Sequence, residues 1–192
     1  MDRPHPHRLT YEVRLAGERN RLVDLILYVS DKYEKAPRWG KTKLNKVLWR
    51  ADFTSFLERG VPVSGRAYVR LQNGPAPAEM APVLGTMEAE GLIRFEGRLV
   101  GQYREERIVP LARPNMAAFG KDDIRYVDKA IEYYWLLTAS ESSDDSHGVA
   151  WQSREDGDAM PYELAYLSNK ELSPAMLKKI ENIGNERGWK SE

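Results

Sequence analysis

The stretch Lys41 to Gly60, KTKLNKVLWRADFTSFLERG, constrains this chain more than any other. It reads as one uninterrupted helix closed by a glycine. At about 100° per residue, Leu44, Val47, Leu48 and Ala51 form one apolar face, and Trp49, Phe53, Phe56 and Leu57 fall on the opposite side. A helix that is apolar on both sides has to be enclosed, so the rest of the chain is expected to pack around it. Between the faces runs a second row, Asn45, Trp49, Asp52 and Phe56, which sets an amide and a carboxylate among aromatic rings. Burying either group unpaired costs on the order of several kcal/mol. Asn45 and Asp52 therefore either bond another part of the chain or face a partner molecule.

The chain has 192 residues, enough for one domain with its own core. The expected organisation is a flexible, loosely held arm over 1–17, a single domain over 18–187 and a short tail over 188–192. Cysteine is absent, which excludes disulfides, thiolate zinc sites and cysteine nucleophiles and fits a reducing cytoplasm. Lysine plus arginine equals aspartate plus glutamate at 29 each, so the basic excess that accompanies a nucleic-acid footprint is missing. No stretch approaches the roughly 18 apolar residues of a membrane span, and the first residues carry no signal-peptide pattern. A cytoplasmic protein without membrane contact is the expectation.

The rest of the chain reads as mainly α, an α+β domain with a small antiparallel sheet or hairpin. Leu22, Leu25, Ile26, Val29 and Tyr33 have helical spacing, and Pro37 stops the pattern. Strands are expected at 66–72, 92–96 and 103–110, forming one short sheet, with Gly97 as the turn of a hairpin. Asn73-Gly74-Pro75-Ala76-Pro77 reads as a loop, followed by a helix bearing Met80, Val83, Leu84 and Met87 and capped by Gly91. Pro82 either kinks its first turn or marks its true start. Asp122-Asp123 is expected to open a helix through Thr138, and Ser173-Pro174 a last one with Met176, Ile180 and Ile183 inside.

Catalytic constellations are missing from the pattern. Ser146-His147 has aspartates nearby, but neighbouring side chains on a helix do not face one another, and no nucleophile elbow is present. His5 and His7 lack the further ligands of a metal site, and there is no phosphate-cradling glycine loop. No metal or cofactor is expected. A helix feeding a hairpin is also the string of a winged helix, which keeps a DNA-binding regulator as the alternative reading. Against it, Met80 to Gly91 offers no lysine or arginine to a phosphate, while Glu79, Glu88 and Glu90 would repel one.

Four stretches carry a resemblance. They are Lys43-Leu44-Asn45-Lys46-Val47-Leu48-Trp49 with Asp52; Gly60-Val61-Pro62 with Gly65; Gly74-Pro75-Ala76-Pro77 with Gly91-Leu92-Ile93; and Ser146-His147 with Trp151, then Met160-Pro161-Tyr162-Glu163. In order and spacing, across about residues 18–168, they resemble the Panacea domain family, the antitoxin class that includes SocA-like proteins. One departure stands out: Ser142, Ser143, Asp144 and Asp145 occupy the place where family members tend to carry leucines.

The resemblance implies a compact helical domain that neutralises a toxin encoded by an adjacent gene, by direct binding or by delivery to a Clp-type protease. It implies no catalytic residues. On this reading the partner surface draws on Asn45, Trp49 and Asp52 and on the proline-braced turn at Gly74, Pro75 and Pro77. Lys43, Leu44, His147, Trp151, Pro161 and Tyr162 are read as structural or motif positions, with His147 and Trp151 sharing one helical face beside the central helix.

Overall fold

The computed structural model describes residues 9–36, 38–100, 103–167 and Lys178. Helix α1 spans Glu18–Lys32 and α2 spans Lys41–Arg59. Gly60 ends α2 at φ 73°, donating its N–H to Phe56 at 2.8 Å. That left-handed conformation suits glycine, which has no Cβ to clash.

The two apolar sides of α2 meet two separate cores. Leu44, Val47, Leu48 and Ala51 join α1, Val63, Leu84, Met87, Val127 and Ile131 in the larger one. Phe53 and Phe56 join Tyr68, Met160, Tyr162 and Leu164 in the smaller, with Trp49 packed against it. The helix is thus the wall between them, mainly because its second face is aromatic and collects rings: Phe53 stands edge-on to Tyr68, and Phe56 stacks on Tyr162 at 5.2 Å. Leu57 departs from the expectation. At 48 % exposed it reaches neither core.

The β structure is divided differently from the expected single sheet. Strand β1, Tyr68–Val69, pairs antiparallel with β2, Ala76–Pro77, and with β5, Ala159–Met160. Proline is tolerated in β2 because that strand is an edge. Strands β3, Ile93–Val100, and β4, Tyr103–Pro110, form their own hairpin. Gly97 is not its turn. It sits mid-strand opposite Glu106, and the ladder continues to Val100 opposite Tyr103.

Between the sheets, α3 spans Met80–Ala89, with Met80, Leu84 and Met87 inward. Pro82 neither starts nor kinks it: the proline lies in the first turn, where an N–H would have no helical acceptor. Gly91 at φ 70° closes the helix, and Leu92 donates to the Met87 carbonyl at 2.8 Å.

Helix α4 spans Lys121–Tyr134 and stops short of the expected Thr138. Its cap is Gly120, whose N–H is accepted by Asp123 at 3.1 Å. Thr138 instead caps a further helix, α5, Ala139–Ser146, by exchanging hydrogen bonds with Glu141. After it comes the short α6, Val149–Gln152. Arg21 of α1, Arg59 of α2 and Asp123 of α4 lock the three helices together. Burial pushes the Asp123 carboxyl up, but the hydrogen bonds from Arg59, Gly120 and Arg21 outweigh it and hold the group below the ordinary carboxylate range.

The described part of the N-terminal arm is fastened. Thr10 donates its N–H to both Glu163 oxygens, at 3.0 and 2.9 Å, and accepts from Tyr162 at 2.8 Å. Val13 donates to Gly65 at 2.9 Å. The helix expected after Ser173-Pro174 lies outside the described residues. Among the described residues, no helix is long and apolar enough to cross a membrane.

Candidate partner-binding site

Asp52, placed by the sequence on a row open to either role, is 1 % exposed. Its carboxylate accepts the Ser64 N–H at 2.5 Å, the Ser64 hydroxyl and the Tyr68 hydroxyl at 2.8 Å, with the Tyr162 hydroxyl at 3.5 Å. Burial pushes the carboxyl above its ordinary range, while the Ser64 and Tyr68 donors pull the other way. Asp52 therefore closes the loop after α2 from inside, and no partner can touch it in this fold. Tyr162 is part of the same arrangement, fully buried and donating to the Arg66 carbonyl at 2.6 Å, and Pro161 beside it is also buried.

The Gly74-Pro75-Ala76-Pro77 turn is buried throughout rather than forming a rim. Gly74 has φ 99°, and a Cβ there would come within 2.2 Å of both Lys46 Nζ and Ser146 Oγ. Directly beneath it, Lys46 and Ser143 both donate to the Asn73 carbonyl. The turn is thus a wedge between α2 and α5. Lys46 is 1 % exposed, and burial alone pulls its pKa down to about 7. Lys43, also buried, donates to the Arg38 carbonyl at 2.7 Å, and burial brings its pKa to about 8. Leu44 between them is core.

Sequence reasoning missed Lys46 as a buried post, and it missed α5. The signal for α5 was present in Thr138-Ala139-Ser140-Glu141, a capping box. The signal for Lys46 was its place between Leu44 and Val47 on a helix that is apolar on two sides.

His147 and Trp151 do come together, but not on one helix. His147 closes α5 and Trp151 lies in α6; their rings stack at 4.0 Å and 22°. The indole donates to the Leu71 carbonyl at 2.9 Å under the Arg70 guanidinium. Burial, with Lys46 nearby, lowers the imidazole pKa. Ser146 donates to the Ser143 carbonyl at 2.8 Å, so serine and histidine do not form a nucleophile and base.

Two of the expected site residues remain near the surface. Asn45 and Trp49 are half-buried as residues, and Asn45 Oδ1 and Trp49 Nε1 are buried atoms without a hydrogen-bond partner among the described residues. Trp49, Phe53 and Leu57 line a groove of about 180 Å³ together with Ser146, Gly148, Ala150, Leu164, Ala165 and Leu167. Arg50 and Thr54 separate it from a second depression of about 140 Å³ beside Tyr126 and Tyr133. Among the described residues, no cluster of histidines and carboxylates could hold a metal ion.

The family model for antitoxin SocA-like proteins, Panacea domain, matches residues 44–152, more than half of the 192. The chain belongs to this family. Neither a curated protein nor a solved structure matches it. The matched part of this Panacea domain opens inside α2 and closes with α6. It includes Lys46, the Gly74 wedge and Trp49, whereas Tyr162 and the strand before it lie beyond. Around its wedge the domain is tightly packed: Gly74, Lys46, Ser143 and Ser146 leave no room even for a Cβ at Gly74. The groove between α2, the end of α5 and the 164–167 stretch, which Ser146 also lines, is open.

Proposed function

We propose that this Panacea domain is the antitoxin of a bacterial toxin-antitoxin pair and neutralises its toxin by direct, non-covalent binding in the cytoplasm. The observation that carries the reading is its membership in the SocA-like antitoxin family across residues 44–152. Binding rather than catalysis is supported by the disposition of the reactive groups. The Ser146 hydroxyl is spent on a backbone carbonyl, and Lys46 is sealed under Gly74. An open groove with tryptophan and arginine in its walls is the kind of surface that anchors a protein partner.

The test is expression of the adjacent gene alone and together with this chain. Growth arrest by the neighbour, lifted when the chain is present and accompanied by co-purification of the two, is the expected result. A harmless neighbour and no co-purifying protein would remove the antitoxin reading. A toxin whose half-life shortens in the presence of the chain, in cells with an intact Clp-type protease only, would replace direct neutralisation by proteolytic delivery.

A further inference from the structure

We infer that the groove along α2 receives an apolar segment of the toxin that ends in a carboxylate at the Arg50 end; the inference rests on the antitoxin reading. The groove is lined mainly by apolar side chains, with Trp49, Phe53, Leu57, Leu164 and Leu167 along it. Leu57 and Leu167 are 48 % and 44 % exposed. Apolar surface of this kind gains on the order of 25 cal/mol per Å² when covered, and single exposed leucines need no explanation whereas a lined groove does.

Charge fixes the chemistry at the other end. The charged side chains that line the groove and the adjoining depression are Arg50, Lys129 and Asp145. Asp145 is already engaged, accepting from Tyr133 at 2.5 Å and Tyr134 at 2.7 Å, with Arg50 at 3.6 Å. Arg50 is itself the partner of Asp145, and with Lys129 in the adjoining depression the positive charges outnumber the negative by one, which favours contact with an occupant carrying a carboxylate over one carrying an ammonium. Arg50 is held for that contact by lying 3.4 Å over the Tyr133 ring, so little side-chain entropy remains to be lost. The floor is fixed as well, because Phe53 is packed against Tyr68 and Tyr162.

The experiment uses the full chain and the toxin encoded beside it, with titration calorimetry and rescue of growth as readouts. Wild type has to bind and rescue first, which tests the antitoxin reading by itself. Leu57→Asp and Arg50→Glu are then expected to bind at least about 30-fold more weakly, with melting temperatures at the wild-type value, and Leu99→Asp on the exposed hairpin to bind as wild type does. Arg50→Gln is expected to flatten the salt dependence of binding. Groove variants that bind normally while Leu99→Asp fails would overturn the inference and leave the antitoxin reading intact. Two other occupants would also overturn it. One is a second copy, shown by a toxin-free dimer that Leu57→Asp makes monomeric. The other is the chain's own 168–192 stretch, shown by its intramolecular cross-link to Leu57→Cys in the absence of toxin.

Discussion

Asp52 holds Ser64 twice, through the backbone N–H at 2.5 Å and through the hydroxyl. The carboxylate on α2 thereby dictates the path of the loop that leads into β1. Asp52→Asn keeps the shape but offers one acceptor oxygen in place of two, so a buried donor is left unmet at a cost of about 1–3 kcal/mol. At about 2–4 °C per kcal/mol for a domain of this size, the melting temperature is expected to fall by several degrees. An unchanged melting curve would show that the loop does not depend on this carboxylate.

Gly74→Ala is expected to be far more damaging than Gly91→Ala. Both glycines have positive φ, 99° and 70°, and strain of about 1 kcal/mol or more is common to both. Only at Gly74 does the new methyl also collide, 2.2 Å from Lys46 Nζ and Ser146 Oγ, whereas nothing lies within 4 Å at Gly91. Chemical denaturation of the two variants side by side measures the difference. Equal losses would mean that the wedge between α2 and α5 can widen freely.

Lys46 makes stability depend on pH in a particular direction. Its pKa is about 7 in the folded chain, against an ordinary 10.5. Between those values the unfolded chain binds a proton that the folded one does not, so stability rises with pH above about 7, by up to about 1.4 kcal/mol per pH unit. Lys43, at about 8, adds a contribution of the same sign beginning one unit higher. Urea midpoints of wild type and Lys46→Met between pH 7 and 9.5 test this. The variant is expected to be more stable near neutrality and to show a shallower slope; parallel slopes would mean that Lys46 titrates as an exposed lysine does.

Ser142 is fully buried on α5, where the family resemblance leads one to expect a leucine. Its hydroxyl is satisfied by the Thr138 carbonyl at 2.7 Å, and Ser143 and Ser146 make α5 equally thin where it packs on α2 and on the Gly74 wedge. Ser142→Leu is expected to overpack the contact and cost about 1–3 kcal/mol, whereas Ser142→Ala should cost no more than about 1 kcal/mol. A stabilised leucine variant would reveal an unfilled space there.

The pattern of α2 was legible without any structure, because a helix with leucines on one side and phenylalanines on the other has two faces to bury. Its limits at Lys41 and Arg59, its glycine cap and its place in the core all follow from local chemistry. So did α1 and α3, whose apolar residues recur with a single period. What only the tertiary structure decided is where α2's polar row ends up. Asp52 and Asn45 lie on the same strip of the helix, yet Asp52 meets Ser64 and Tyr68 while Asn45 Oδ1 has no hydrogen-bond partner among the described residues, because the loop after Gly60 folds back over the Asp52 end. Proline and glycine told that the chain turns at 73–75, but not that Ala76–Pro77 leaves the expected loop to pair as β2 or that the stretch is buried, since backbone preference is local while pairing and burial depend on what β1 and α5 bring against it. The polar string SESSDDS looked solvated, and it packs inward because serine is small enough for close approach and can spend its hydroxyl on nearby carbonyls. Gly97 misled for the complementary reason: a strand accepts a glycine wherever the partner strand continues, and pairing is a property of two segments, not one.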